Sequence, residues 1–166
     1  MSKLSLFLRV TVSALFFVAL LNTYIGYTST KNEIMLVEIR GAIQPSTADY
    51  LRRVITTAEL NEAVAILIEL DTPGGMLEST REIVTLFLES EILIITYVAP
   101  YGARAGSAGT FIVAASHIAA MAPTTNIGAA SPVSADGSNL NNTLQNKATQ
   151  DAAALMRSIS EARSRN

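Results

Sequence analysis

Apolar residues occur along the chain in short blocks, and their spacing predicts strands and helices in turn. Three blocks rich in β-branched residues predict strands at Ile34–Ile39, Val64–Leu70 and Ile92–Val98. The second and third are apolar at nearly every position, which predicts strands of a parallel sheet that are buried on both faces. A fourth, shorter strand is predicted at Ile118–Met121.

Helical spacing of apolar residues marks segments between and after these strands. It predicts four helices, which run from a cap at Ser46 or Thr47 to about Leu60, over Met76–Ser90, over Ser107–Ser116, and from about Asn142 to Arg163. The third is small and apolar on every side and is therefore expected to be buried. Pro100–Gly106 and Pro123–Leu140 are expected to be loops. The β-α-β-α-β-α order predicts an α/β domain.

The first segment of the chain has the pattern of a targeting or anchoring signal. Lys3 and Arg9 precede an uncharged stretch, Val10–Tyr27, as in secretory signals. The stretch is also close to the shortest length that spans a membrane. Residues 1–27 are therefore expected to be a cleaved signal or a retained anchor, with a buried core helix as a third interpretation, and residues 28–33 a linker. In both favoured cases the following domain is exported, and it stays membrane-associated if the anchor is retained.

Composition narrows the classes of function. The chain has 166 residues, 49% of them hydrophobic, which is enough for one domain with its own core. The formal net charge is −2, so the chain lacks the excess of basic residues that is typical of nucleic-acid-binding proteins. No nucleic-acid partner is therefore expected. The absence of cysteine excludes disulfides, thiolate metal sites and a cysteine nucleophile. His117 is the one histidine, which excludes a multi-histidine metal site within one chain.

A glycine-containing turn, Asp71–Gly75 (DTPGG), follows the second predicted strand. Ligand sites of open α/β sheets cluster at such strand ends. Adjacent glycines permit positive φ and close approach of a ligand, and backbone N–H groups there can bind an anion or a developing oxyanion. An ordinary strand-to-helix turn is the alternative interpretation.

A serine, Ser107, begins the small apolar helix and has small neighbours throughout Gly102–Thr110. These leave room for a substrate carbonyl beside the hydroxyl, and a helix N-terminus favours negative charge. The motif differs from the G-x-S-x-G elbow of many hydrolases. A serine that only caps the helix is the alternative interpretation.

A serine nucleophile needs a base, and nitrogen bases are few in this chain. His117 follows Ser107 by ten residues, which is about 15 Å along a straight helix, so it is expected to be a helix-end or core histidine. Lys147 is the one lysine in the globular part, since Lys3 and Lys31 precede it. A lysine with a pKa lowered by burial can serve as base. Helical spacing places Lys147 away from the centre of the apolar stripe of its helix. A lysine that is merely solvated therefore remains the alternative interpretation.

Three ordered segments together resemble the NfeD-family membrane serine protease domain: Ile68–Gly75 (IELDTPGG), Tyr97–Ile112 (YVAPYGARAGSAGTFI) and Ser116–Val133 (SHIAAMAPTTNIGAASPV). That family belongs to the Clp-protease/crotonase-like group and is related to signal peptide peptidase A. The resemblance covers residues 34–166 and implies a protease domain built as a repeated β-β-α spiral. It also implies a homo-oligomer that needs no cofactor and no metal.

The resemblance assigns roles to individual residues. It makes Ser107 the nucleophile and Lys147 the general base, with the backbone N–H groups of Gly75 and Ala108 as the oxyanion hole. The soluble Clp proteases instead use a histidine in the region that corresponds to Gly128–Pro132, and this chain has none there. A Ser-Lys dyad is therefore the arrangement consistent with the family.

The function implied is a membrane-associated serine endopeptidase that cleaves apolar polypeptide segments by acyl transfer, with a stomatin-like membrane protein as partner. Two departures stand out: Arg104 replaces a small residue near the pocket, and family members continue beyond Asn166, so a domain truncated at its C-terminus is expected. One alternative is a non-catalytic, membrane-associated interaction module. Another is a crotonase-type acyl-CoA enzyme, for which the loops offer few carboxylates beyond Asp71.

Overall fold

The computed structural model describes Ser13, residues 33–131 and residues 142–165. The strands in these ranges are β1 (Ile34–Arg40), β2 (Ala65–Asp71), β3 (Leu93–Val98), β4 (Arg104–Gly106), β5 (Ile118–Met121) and β6 (Asn126–Gly128). The helices are α1 (Pro45–Leu60), α2 (Leu77–Glu89), α3 (Ala108–Ala115) and α4 (Asn142–Ala162). No helix found there is long and apolar enough to cross a membrane. Apart from Ser13 and Glu33, the predicted signal or anchor and its linker lie outside these ranges.

The main sheet has four parallel strands in the order β1-β2-β3-β5. Parallel neighbours need a crossover connection, and the helices supply it. A smaller parallel sheet joins β4 to β6. This smaller sheet forms a second layer. Two single-residue β-bridges, Ile43 with Gly75 and Thr72 with Ala105, extend the layer beside the first two strands of the main sheet.

These pairings reveal a unit that recurs along the chain. Each unit has a strand of the main sheet, then a short extended stretch in the second layer, then a helix. The third and fourth units are β3-β4-α3 and β5-β6-α4, while the first two use Ile43 and Thr72 in place of a full second strand. The predicted α/β class and repeated β-β-α architecture are confirmed.

The core lies on one face of the main sheet. Its buried strand residues alternate along β1, β2 and β3 and pack with buried residues of the helices. The opposite face carries the register row Leu36, Leu67, Ile95 and Ile118. Leu36 is 61% exposed and Ile118 46% exposed on the two outer strands. On the second and third predicted strands, Leu67 and Ile95 are half-buried, so the prediction that these strands are buried on both faces is wrong for this face. The reason is that the described helices cover one side of the sheet.

The predicted elements match the structure except at a few boundaries. The first helix begins at Pro45 after the cap residue Gln44, so the cap predicted at Ser46 or Thr47 is wrong by two or three positions. Proline suits the first helical position because its missing N–H would have no partner there. The hydroxyl of Thr47 instead accepts the N–H of Gln44 at 3.2 Å. The loops predicted at Pro100–Gly106 and Pro123–Leu140 contain β4 and β6, and residues 132–141 lie outside the described ranges.

Candidate active site

Ser107 lies at the junction of β4 and α3 in a backbone conformation that few side chains adopt. Its φ is 47° and its ψ is −107°. Such conformations cost about 1–3 kcal/mol and persist where the surroundings hold them. The Ser107 N–H donates to the carbonyl of Gly128 at 2.8 Å, which ties the residue to the end of β6. The turn presents a partly exposed serine at the start of a helix.

The DTPGG turn lies directly against Ser107, and the close packing requires glycine. A Cβ atom on Gly74 would lie 2.7 Å from Ser107 Cβ. A Cβ on Gly106 would lie 3.0 Å from the carbonyl oxygen of Pro73, and one on Gly109 would lie 2.7 Å from Thr72 Cγ2. The two glycine-containing motifs, separated in sequence by a strand and a helix, therefore interlock at the same edge of the sheet.

Hydrogen bonds made by Asp71 and Thr72 fix the alignment of the two glycine-containing motifs. Asp71 Oδ1 accepts the N–H of Arg104 at 3.0 Å, and Thr72 N–H donates to the carbonyl of Arg104 at 2.7 Å. The buried Thr72 hydroxyl accepts the N–H of Gly74 at 3.1 Å. Asp71, at the edge of the candidate site, therefore orders backbone, and its carboxylate is already engaged.

Gly75 and Ala108 directly follow Gly74 and Ser107, the two residues that pack together, and their backbone N–H groups have no acceptor within the described ranges. Gly75 is wedged against Ile43, where a Cβ would lie 2.1 Å from the carbonyl oxygen, so its peptide is held rigidly. Ala108 is the first residue of α3, where the helix dipole adds positive potential. Fixed, unpaired donors near a nucleophile have the chemistry of an oxyanion hole.

The structure does not bring Lys147 into a hydrogen bond with Ser107. Lys147 is exposed in the first half of α4, and it makes no ion pair or hydrogen bond through its ammonium with any described residue. Ala152 and Ile159 are the buried residues of this helix. The lysine therefore lies off the buried face, which decides a point that its helical phase had left open.

His117 has a structural position at the far end of α3 from Ser107. Its imidazole Nδ1 accepts the backbone N–H of Ile94 at 3.1 Å, and the backbone N–H of His117 donates to the carbonyl of Ile94 at 2.9 Å. Desolvation by burial, and secondarily the positive charge of Arg163, lower the pKa of His117 below 6.5. The expected helix-end histidine is confirmed, because the imidazole links β3 to the segment before β5.

Residues 33–166 match the family described as NfeD1b, N-terminal domain. The chain belongs to this family. Membrane-bound protease PH1510 of Pyrococcus horikoshii is 48% identical over 103 residues, which are 62% of this chain and 23% of that protein. Membrane protein NfeD1b of Bacillus subtilis is 29% identical over 129 residues, 78% of this chain and 29% of that protein. This NfeD1b N-terminal domain chain thus spans less than a third of the length of these curated relatives.

Solved structures share its fold. A lysine-to-alanine mutant of the 1510-N membrane-bound stomatin-specific protease, in complex with a substrate peptide, has a TM-score of 0.71 and 41% identity over 80% of this chain and 61% of that one. A serine-to-alanine mutant of the 1510-N protease has a TM-score of 0.70 and 40% identity over 80% and 64%. A ClpP1 mutant of Listeria monocytogenes, 19% identical with a TM-score of 0.58 over 79% and 73%, shares the fold alone. The resemblance to the NfeD family and the Clp-protease-like fold is confirmed.

Sequence reasoning overlooked residues of this NfeD1b N-terminal domain that act through their backbone. Ile43 donates its N–H to Gly74 and accepts that of Met76, each at 2.9 Å, and Gly128 holds Ser107. No side-chain signal reports such roles, although the glycine at 128 has a φ of 131° that glycine alone adopts readily. Arg104 has an exposed side chain, and its backbone supplies the contacts to Asp71 and Thr72. Nowhere in the described ranges do three histidine or carboxylate side chains gather to hold a metal.

Proposed function

We propose that this domain is a serine endopeptidase that cleaves apolar segments of a stomatin-like membrane protein. The observation that carries the proposal is the position of Ser107, which has a strained backbone, begins α3 and packs on the DTPGG turn. The names of its relatives support it. One is a membrane-bound protease, and the structures of a stomatin-specific protease include mutants in which a serine or a lysine was replaced by alanine.

The first step forms an acyl-enzyme. Lys147, neutral in the complex, takes the proton of the Ser107 hydroxyl while Oγ attacks the carbonyl carbon of a peptide bond. The N–H groups of Gly75 and Ala108 donate to the oxygen that becomes anionic. Loss of one such donor costs about 2.7–4 kcal/mol of transition-state stabilisation. When the tetrahedral intermediate collapses, the C–N bond breaks and the Lys147 ammonium returns its proton to the leaving amine.

The second step hydrolyses the acyl-enzyme and releases the product, with water in the place of the leaving amine. Lys147 takes a proton from water as the water oxygen attacks the acyl carbon. The intermediate collapses, the bond to Ser107 Oγ breaks, and Oγ regains a proton from Lys147. This chemistry needs no metal and no nucleotide.

The exposure of Lys147 suggests how apolar substrates are selected. A lysine acts as base after its ammonium has lost a proton, and burial among apolar groups favours that loss. An apolar segment that covers Lys147 supplies this burial when it binds, whereas a polar segment leaves the ammonium hydrated. Binding of an apolar segment then both selects the substrate and activates the base.

The setting proposed for this reaction is a membrane. PH1510 is named membrane-bound and NfeD1b of Bacillus subtilis is named a membrane protein. The domain then acts on the exported side, held by residues 1–27 if they are retained and secreted if they are cleaved. It acts as a homo-oligomer.

The full chain tests the proposal. Apolar peptides are incubated with the parent, Ser107→Ala and Lys147→Ala, and products are identified by mass spectrometry. We expect cleavage by the parent and at least a thousandfold loss in both variants. Equal cleavage by the parent and Ser107→Ala contradicts the proposal, and absence of cleavage with intact peptide binding favours the non-catalytic interaction module.

Labelling with phosphonates separates the nucleophile from the base. An apolar phosphonate should label Ser107 in the parent and in Lys31→Met, a matched lysine control outside the domain, but not in Lys147→Met. A small polar phosphonate should react slowly with all three. Equal labelling by the two reagents contradicts the role given to the apolar substrate.

A further inference from the structure

The C-terminal end of α3 is held by side chains from the end of α4. The last carbonyls of a helix have no partner inside it. The Ser116 hydroxyl donates to the carbonyl of Val113 at 2.6 Å. Arg165 Nε donates to the carbonyl of Ala114, and Arg163 Nε to that of Ala115, both at 2.8 Å. Two arginines that follow α4 therefore complete the capping of the helix that begins beside Ser107.

Each guanidinium makes a second bond. Arg163 Nη2 donates to the carbonyl of Phe87 near the end of α2 at 2.5 Å. Arg165 Nη2 donates to the carbonyl of Ser116 at 2.7 Å. The planar fork of arginine suits such paired bonds, and positive charge is favourable at helix C-termini. The ends of three helices thus meet at these two side chains.

Lys147 lies at the opposite end of α4, about 24 Å away along the helix axis. One turn after it, Asp151 forms an ion pair with Arg81 of α2. That pair is largely exposed and contributes little stability. The apolar contacts between, at Ala152 and Ile159, are compatible with small shifts of the helix, because such contacts have no preferred direction.

We propose that Arg163 and Arg165 are positioning residues for Lys147. A helix that slips by one residue moves by about 1.5 Å and turns its side chains by about 100°. Directional bonds to the ends of two neighbouring helices, α2 and α3, prevent that slip. They therefore set the register of the helix that carries the base against the helix that begins after the nucleophile. The inference rests on the proposed roles of Ser107 and Lys147.

A distance measurement tests the positioning without any activity. Because the chain has no cysteine, spin labels can be attached to a full chain carrying Glu78→Cys on α2 and Gln150→Cys on α4, both at exposed positions. We expect a narrow distance distribution in this parent. In Arg163→Met/Arg165→Met it should broaden or shift by several ångströms at a temperature where circular dichroism shows full helix content. An unchanged distribution overturns the proposal.

Matched variants separate positioning from a loss of stability. Ile159→Val weakens the core and keeps both arginines, and Arg157→Met removes an exposed arginine of the same helix. Both should keep the parent distribution. If the double variant fails to fold, Arg163→Lys replaces it. One ammonium cannot reproduce the planar fork, so an intermediate shift is expected, and an unchanged distribution there overturns the proposal.

Kinetics on the parent and variants connect the distance to the reaction. Misplacement of a catalytic group by about 1 Å can lower the rate about 100-fold. We expect kcat of the double variant to fall by about that factor while KM stays within twofold, with Ile159→Val unchanged. A shifted distance with an unchanged kcat overturns the proposal. A parent that cleaves no peptide instead contradicts the proposed function, and the distance measurement still decides the positioning.

Discussion

Gly74 and Ser107 are packed so closely that the added Cβ of an alanine at 74 would lie 2.7 Å from Cβ of the serine. This contact places the DTPGG turn on the candidate nucleophile. Gly74→Ala should therefore displace Ser107 and lower its labelling by an apolar phosphonate at least tenfold. It should also lower the free energy of unfolding by about 2–4 kcal/mol, from backbone strain at a φ of 123° together with overpacking.

Gly41→Ala is the control for backbone strain in that experiment. Gly41 also has a positive φ, 95°, but nothing lies within 4 Å of the position of its Cβ. Its substitution should cost about 1–2 kcal/mol and leave the labelling rate of Ser107 unchanged. Equal labelling of the two alanine variants would show that contact with Gly74 does not position the serine.

The hydroxyl of Thr72 should stabilise the turn. Thr72→Val leaves the buried N–H of Gly74 without its acceptor, which costs about 1–3 kcal/mol. Urea unfolding measures this loss. Thr72→Ser keeps the hydroxyl and should retain most of the stability. A valine variant as stable as the parent would contradict the assignment.

Thr96 should tolerate, and gain from, loss of its hydroxyl. It is fully buried in β3, and its Oγ1 has no hydrogen-bond partner among the described residues. Thr96→Val keeps the shape and removes an unpaired polar atom, so stability should rise by about 1 kcal/mol. Thermal unfolding checks this. Thr110→Val is the opposite case, since the Thr110 hydroxyl bonds to the carbonyls of Ala105 and Gly128, and it should destabilise the domain.

Stability should fall in mild acid because of His117. Its pKa in the folded domain is lowered by desolvation and by the charge of Arg163, so the unfolded chain binds the proton more tightly. The stabilisation is present above about pH 6.5 and is lost as pH falls below it through the folded pKa. His117→Asn, which keeps an acceptor near the position of Nδ1, should remove this part of the pH dependence. Parallel stability curves for parent and variant between pH 7 and 5 would contradict it.

Much of the fold could be predicted from the sequence, because apolar periodicity reports burial directly. The four strands of the main sheet and the helices α1 to α4 of the described ranges match the predicted segments closely. β4 and β6 could not be predicted, because each is three residues long and is defined by backbone pairing rather than by side chains. The partly exposed face of the main sheet could not be predicted either, because Leu36 and Ile118 are apolar residues that are nevertheless exposed.

The candidate site likewise has features that the sequence predicts and features that it does not. The glycines of DTPGG and the serine at a helix start are local signals, and the structure brings them together. The contacts of Arg163 and Arg165 join residues 48 to 76 positions apart, and charged residues at a helix end look like solvated surface in a sequence. The roles of Lys147, Gly75 and Ala108 come from the family resemblance and remain predictions.

The contacts of Arg163 and Arg165 also define where the domain can be trimmed for expression. A version that stops after Ala162 retains the whole of α4. It nevertheless removes the donors for four backbone carbonyls of α2, α3 and the residue after α3. Such charge-assisted bonds contribute about 1.5–3 kcal/mol each, which is a large share of the stability of a small domain. A C-terminal boundary chosen from the end of the last helix would therefore yield poorly folded protein, whereas one placed after Arg165 would retain these interactions.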